Sequence, residues 1–344
     1  MSGLEKYRDT LQSWLASVSA ADSIEIKSVK PLTGGAIQEN WRVECTIDGG
    51  PHSGRQGFVI RSDAASSVDS SLSRSEEFKV LGVAHSAGVT VPEPLWLCED
   101  MDVIGRVFYV MRLVRGIGLG PKVVKDLQLG GDRETLVEQL GRELARIHSI
   151  RPPRDGLEFL QRSNSHPALE MIARLCQHLD TLGEDRPILE WGLRWAELNL
   201  PPKPEITLIH QDFRTGNYLV DDNGLTAILD WEFSGWGDPM SDLGWFCAKC
   251  WRFSHPELEA GGIASRSVFY DAYEASSGRS IDEQAVTYWE VVAHIRWAVI
   301  ALQQAHRHLS GRQQSIELAL SGRLLPELEF EVLKMTTPAS WRAA

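Results

Sequence analysis

Leu4, Tyr7, Leu11, Trp14, Leu15 and Val18 recur at three- and four-residue intervals, which predicts an amphipathic helix over residues 4–18. The period then shortens. Residues 24–29 alternate apolar with polar, Pro31 to Gln38 breaks the pattern, and Trp41 to Ile47 resumes it, predicting strand, loop and strand. Asp48-Gly49-Gly50 makes the next turn, and Gly57-Phe58-Val59-Ile60-Arg61 a third strand. Ser73 to His85 returns to helical spacing, with Phe78, Leu81, Val83 and Ala84 toward the sheet and Glu76-Glu77 near the start. After Val89 to Pro94, residues 95–98 form a short strand. Val107 to Met111 is nearly continuously apolar, as expected of a buried strand.

Beyond that point helical stripes dominate. Leu136, Leu140, Leu144 and Ile147 share one face of a helix over 136–150, and His148 near its end reads as a C-terminal polar contact. Residues 167–200 are mostly helical, with Pro187 opening a new helix. Thr207 to Ile209 and Tyr218 to Val220 are short strands, Asp221-Asp222-Asn223-Gly224 is turn chemistry, and Thr226 to Leu229 is a further strand. Further helices follow at 268–275, 286–304 and 316–325. This order describes an α+β chain with an antiparallel-sheet lobe over residues 1–112 and a mostly helical lobe over 113–344. With 344 residues and 43% hydrophobic content there is material for two cores, and no internal repeat emerges.

Charge narrows the partners. The net charge of −12 and a pI of about 5.4 argue against nucleic acid, which calls for a basic stripe. Glu5, Lys6, Arg8 and Asp9 interrupt the amino end, and no later apolar run approaches the ~18 residues of a spanning helix. The expectation is a cytoplasmic protein without a membrane partner. Five scattered cysteines make no disulfide framework, and Cys247-x-x-Cys250 reads as two small apolar residues on a helix face. His306-Arg307-His308 reads as a solvated helix face. Trp231, Trp236, Trp245, Trp251, Trp289 and Trp297 fit either helical cores or an aromatic wall beside a bound molecule.

The chemistry is concentrated in His210-Gln211-Asp212-Phe213-Arg214-Thr215-Gly216-Asn217 and Ile228-Leu229-Asp230-Trp231-Glu232. Phosphoryl transfer needs a carboxylate beside the attacking hydroxyl and oxygen ligands for the magnesium that bridges the nucleotide phosphates. Asp212 and Asn217 stand five residues apart, the Asp-to-Asn spacing of a kinase catalytic loop, and Asp230 follows eighteen residues after Asp212. Asp212 is the candidate base; Asn217 and Asp230 are the candidate magnesium ligands. So sparse a donor set suits Mg2+, which keeps water and substrate phosphates in its shell.

These residues resemble the His-Gly-Asp-x-x-x-x-Asn loop of the aminoglycoside phosphotransferase family, small-molecule kinases with a bilobal, protein-kinase-like fold. Gly237-Asp238-Pro239-Met240-Ser241-Asp242-Leu243 is similar to the family's Gly-Asp-Pro-x-x-Asp-Leu run, and the motifs look closest to the branch fused to acyl-CoA dehydrogenases. The resemblance implies that Arg61 contacts the nucleotide phosphates where the family typically has lysine, that Glu77 pairs with it, and that Asp238 and Asp242 brace the loop. It also places the adenine against the backbone of Met111 to Val114, with Met111 and Leu113 as contacts. Gly34 and Gly35 lie in a loop whose backbone N–H groups can approach phosphate, although the kinase G-x-G-x-x-G pattern is absent. Gln211 stands where the family usually has glycine, and Arg112 where it often has glutamate. Glu232 has two readings, orienting a metal-bound water or facing the acceptor.

The expected activity is transfer of the γ-phosphate of ATP or GTP, with Mg2+, to a hydroxyl of a small-molecule acceptor. The competing reading is a nucleotide-binding regulatory module without transfer. Protein-kinase activity ranks third, since no His-Arg-Asp, Asp-Phe-Gly or Ala-Pro-Glu string is present. These residues leave open the acceptor, the choice of nucleotide and the oligomeric state.

Overall fold

A computed structural model describes residues 3–32, 38–63, 71–162 and 164–338. Its contacts define two compact units. One comprises Met1–Asp132, Pro153–Leu160 and Gly216–Ser234; the other comprises Arg133–Pro152, Gln161–Thr215 and Gly235–Ala344. The units are therefore discontinuous in sequence.

In the first unit, helix α1 (Arg8–Val18) precedes strands β1 (Ser23–Leu32), β2 (Gln38–Asp48) and β3 (Gly54–Asp63). Helix α2 (Arg74–Ser86) follows, then β4 (Pro94–Cys98) and β5 (Phe108–Arg112). The strands form one antiparallel sheet in the order β1-β2-β3-β5-β4, so β3 is central and pairs on both edges. Side chains alternate across a sheet. Phe58 and Ile60 of β3 join Leu11 and Leu15 of α1, Val43 and Phe108 in one apolar core, which leaves Val59 and Arg61 on the opposite face.

Helix α2 begins with a capping box: the Ser73 hydroxyl accepts the Glu76 N–H, and the Glu76 carboxylate accepts the Ser73 N–H at 2.9 Å. Glu76 is thereby committed to the cap. Glu77, about 100° further round the helix, is buried. The strands Tyr218–Asp221 and Gly224–Ile228 form a hairpin with a two-residue turn, in which the Asn223 N–H donates to Asp221 Oδ1 at 2.8 Å. The hairpin joins the rest of the unit through the Ile117–Val220 bridge and a 2.8 Å bond from the Ile228 N–H to the Thr90 carbonyl.

The second unit is built on Glu283–Leu309, a 27-residue helix contacted by Pro167–Leu182, Pro187–Leu198, Pro239–Cys247, Ile316–Gly322 and Leu325–Thr336. By length and composition this helix could cross a membrane, and it is the only such helix among the described residues. Its apolar window is 78% buried within the fold, which accounts for apolar side chains on every face. Glu290, His294 and Arg296 interrupt the window, so a count of consecutive apolar residues overlooks it. The stripe expected over 316–325 splits into two helices, with a proline in the first turn of the second. Thr207–Ile209 pairs antiparallel with Gly235–Gly237, a strand that the sequence pattern did not announce.

Two glycines show how tightly these helices are set. A Cβ on Gly244 would stand 2.5 Å from Trp289 Cβ and 2.8 Å from its backbone carbon, whereas a Cβ on Gly82 in α2 would meet nothing within 4 Å. Gly244→Ala is therefore expected to cost about 1–3 kcal/mol by overpacking. Gly82→Ala should add about 0.5–1 kcal/mol through helix propensity. Urea unfolding of both variants measures the contrast, and equal effects would refute it.

Candidate active site

In the first unit, the pleat carries Arg61 away from the apolar core and toward Glu77. Its Nε donates to Glu77 Oε2 at 3.1 Å and its Nη2 lies 3.0 Å from Oε1, a two-point contact between nearly fully buried groups. Nη1 reaches Asp230 Oδ1 at 2.9 Å and Asn40 Oδ1 at 3.5 Å. Asp230, whose side chain is 33% exposed, sits just beyond the hairpin with φ of 62°, a left-handed conformation that aspartate tolerates better than most residues. The hairpin also brings Asn217 close to it in the backbone: the Leu229 N–H donates to the Asn217 carbonyl at 2.8 Å. Asn217 is itself buried.

Arg74 completes this cluster, and sequence reasoning passed over it. Its guanidinium is buried against Glu77, lies 2.9 Å from Asp63 and 3.8 Å from Glu232, and donates to the Leu72 carbonyl. Burial pushes the Glu232 carboxyl up to about 8; the Arg61 charge pulls it back, and Glu77 and Asp230 push it further. Burial opposes the charge on Arg61, but Glu77 and then Asp230 hold its guanidinium firmly protonated. The two guanidiniums thus share Glu77, with Asp63 beside Arg74, Asp230 beside Arg61, and burial holding the proton on Glu232.

At the end of β5, Met111 is buried opposite Val59, and the Leu113 N–H donates to the Gly57 carbonyl at 2.9 Å. That N–H is engaged within the protein. Arg112 pairs with Glu93 at 2.7 Å. Gly34 and Gly35 lie outside the described residues.

In the second unit, the Gly-Asp-Pro run explains itself residue by residue. A Cβ on Gly237 would strike Ile209 Cδ1 at 2.3 Å across the two-stranded sheet. Asp238 caps the helix Pro239–Cys247, its Oδ1 accepting the Met240 N–H at 2.9 Å and its Oδ2 the Trp289 Nε1–H at 2.7 Å. Burial lifts its carboxyl to about 6, against these bonds. Pro239 fits the first turn, where no N–H is required. One helical turn on, the buried Asp242 accepts the N–H groups of His210 and Gln211 at 2.7 and 2.8 Å.

His148 Nε2 lies 3.2 Å from Asp242, and its Nδ1 is 2.9 Å from the Tyr273 hydroxyl. Burial raises the Asp242 carboxyl, but the bond and charge of His148, with those of His210, bring it net below the usual range. Burial also lowers the His148 imidazole. An ionised Asp242 follows, and it accepts from the His148 ring at Nε2.

On this pinned backbone, Asp212 donates its N–H to His210 Nδ1 at 3.2 Å. Its Oδ1 takes the Trp245 Nε1–H at 2.9 Å and Arg214 Nε at 3.2 Å. The Arg214 guanidinium lies 4.5 Å from the Trp251 ring centre, and that of Arg296 lies 4.4 Å from the Trp245 ring centre. Gln211, just before Asp212, has φ of 63°, the left-handed region that glycine enters without cost.

Trp236, Trp245 and Trp289 line a cavity of this unit together with Gln211, Glu170 and Arg296. Trp251 and Trp297 instead pack with Trp245 in a neighbouring cluster, while Trp231 is buried in the first unit. Cys247 and Cys250 are free thiols on either side of a helix end, not on one helix face. No cluster of three or more metal-binding side chains occurs among the described residues.

Residues 28–277 match the phosphotransferase enzyme family. Acyl-CoA dehydrogenase family member 10 of Mus musculus is 27% identical over 286 residues, which cover 78% of this chain and 26% of that protein. The chain thus spans about a quarter of that relative's length. The 4-hydroxytryptamine kinase of Psilocybe cubensis is 24% identical, with 84% of this chain and 85% of the kinase covered. A solved thermostable aminoglycoside phosphotransferase mutant, in ternary complex with AMP-PNP and hygromycin B, superposes with a TM-score of 0.62 at 14% identity, covering 96% of this chain and 99% of its own. That likeness is one of fold. The family match runs from β1 through the helix Arg266–Ser277, taking in both the Arg61 cluster and the Asp212 loop, and the chain belongs to the phosphotransferase enzyme family.

Proposed function

We propose that the protein is a kinase that transfers the γ-phosphate of ATP or GTP to a hydroxyl of a small molecule. The observation that carries this reading is Asp212, whose carboxylate is oriented by Trp245 and Arg214 on a loop pinned from beneath by Asp242. Asp212 accepts the acceptor hydroxyl proton as the oxygen bonds to the γ-phosphorus and the bond to the β–γ bridging oxygen breaks, releasing the nucleoside diphosphate. Two donors on one carboxylate oxygen fix its rotation, which lowers the reorganisation required at transfer.

Asn217 and Asp230 are the residues that would hold magnesium. One amide and one carboxylate tied together through Leu229 suit a hard cation that takes its remaining ligands from phosphate and water. When bound, the ion would neutralise phosphate charge and align the transferring group. Arg61, held at two points by Glu77, would supply a fixed positive charge to the phosphates. Met111 and Leu113 remain the proposed edge for the base, with contacts other than the engaged Leu113 N–H.

The complex of a family fold with AMP-PNP and hygromycin B supports nucleotide and hydroxylated-acceptor binding, and the fungal kinase supports a small hydroxylated acceptor. A second reading, a nucleotide-binding module without transfer, draws on one observation: Arg61 occupies an Asp230 oxygen that the metal would otherwise use.

A screen of hydroxylated metabolites and aminoglycosides, read by ADP and GDP release with and without Mg2+, separates the two readings; binding without release favours the second. With the best acceptor, Asp212→Asn should lower kcat about 100- to 10,000-fold while nucleotide binding persists. Near-wild-type turnover in that variant would sink the assignment of the base.

Glu232 predicts a pH effect on stability. Its carboxyl rises from 4.5 to about 8 on folding, so the folded chain holds the proton more tightly than the unfolded one. Its contribution is complete below the lower value and is lost as pH climbs through the upper one. Glu232→Gln, neutral at every pH, should therefore gain on the wild type as pH rises across that interval. Parallel unfolding free energies in urea at each pH would contradict this.

A further inference from the structure

We propose that Arg296 is a positioning residue that holds the peptide before Asp212 in its left-handed conformation; the proposal rests on the reading of Asp212 as the base. Arg296 projects from the long helix Glu283–Leu309 and makes two separate contacts, one with the loop and one with Trp245 on the helix Pro239–Cys247. One nitrogen, Nη1, donates to the Gln211 carbonyl, the oxygen of the peptide that leads into Asp212. Its guanidinium also lies 4.4 Å from the centre of the Trp245 ring, and the indole N–H of that ring donates to Asp212 Oδ1. A single side chain thus fixes both the backbone entering Asp212 and the tryptophan that orients its carboxylate.

The need for such a clamp lies in Gln211. A residue with a Cβ at φ of 63° is strained, and a conformation of this kind persists only where its surroundings over-determine it. Asp242 secures the N–H of Gln211, and Arg296 secures the carbonyl. With the carbonyl released, the peptide can turn toward the commoner right-handed or extended regions, and the turn carries Asp212 with it. Glycine at position 211 would relieve that tendency, because it enters the left-handed region at no steric cost. The clamp and the strain therefore form a coupled pair: Arg296 matters because residue 211 is not glycine.

Arg296 also lines the cavity with Trp236 and Trp289, so a direct contact with the acceptor is the rival role to be distinguished. The test is a double-mutant cycle in the full-length chain with Arg296→Leu, Gln211→Gly and the pair. It is read as kcat and KM for ATP and for the best acceptor of the panel, or as Mg2+-dependent ATP hydrolysis where no acceptor is found. Arg296→Leu should lower kcat about 10- to 100-fold, the scale of a misplaced catalytic group, with KM for ATP unchanged. Adding Gln211→Gly should restore most of that loss. Arg296→Lys, which retains a donor but not the flat guanidinium, should fall between the wild type and Arg296→Leu.

A raised KM for the acceptor with kcat preserved would overturn the proposal in favour of substrate contact. Equal kcat losses from Arg296→Leu in the glutamine and glycine backgrounds would overturn it too, since the two positions would then be uncoupled. Asp212→Asn is run alongside: if it retains turnover, the reading of the base fails. If it is inactive while Arg296→Leu turns over normally, the positioning role alone fails.

Discussion

The buried carboxylate of Asp242 is the constraint on which the loop carrying Asp212 depends. It accepts the N–H groups of two successive loop residues, His210 and Gln211, and meets His148 from a third element, so strand end, helix start and helix end converge on one ion. An ion held with 0% exposure survives only when hydrogen bonds replace its lost hydration. Once they are made, the loop has little freedom left, because moving either N–H would strand a charge in the interior. The rigidity of Asp212 is thus inherited from a group that takes no part in the reaction proposed for it.

The first unit shows the opposite arrangement, an ionic cluster with competing partners. Glu77 is shared by Arg61 and Arg74, Arg61 divides its nitrogens between Glu77 and Asp230, and Glu232 is kept largely neutral by burial. Asp230 is the most exposed of the three carboxyls around Arg61 and is bound at only one of its oxygens by that guanidinium. A charge placed beside Asp230 would alter this sharing without disturbing the apolar core behind β3. That separation suits the binding of a polyanion with its cation.

Much of this was legible in the sequence, for identifiable reasons. Period-two alternation gave the early strands, a continuous apolar run the strand at 107–111, and period-3.6 stripes most helices, because each pattern follows from how the element is buried. Glu77 was singled out by the family resemblance, and the capping box shows what occupies its neighbour Glu76. What escaped notice is equally physical. Arg296 binds a backbone carbonyl and an indole face, neither of which leaves a paired residue type in the sequence; its only signal is a cation inside an apolar helix. Arg74 resembles any arginine near a helix start until its burial is seen. The Gly235–Gly237 strand has two glycines and a tryptophan, with no alternation to betray it. The six tryptophans could not be apportioned, since core and cavity demand the same rings, and the structure distributes them among both.

The central position of β3 has one more consequence. Its two faces are unlike, with Phe58 and Ile60 toward the core shared with α1, and Arg61 toward Glu77 and Asp230. A strand slipped by a single residue exchanges its faces. Here that would drive a guanidinium among Leu11, Leu15 and Phe108 while leaving the buried Glu77 with Arg74 alone. Mispaired arrangements are thereby penalised twice, and the side chain proposed to meet phosphate also serves as the registration mark that lets the sheet assemble in only one alignment.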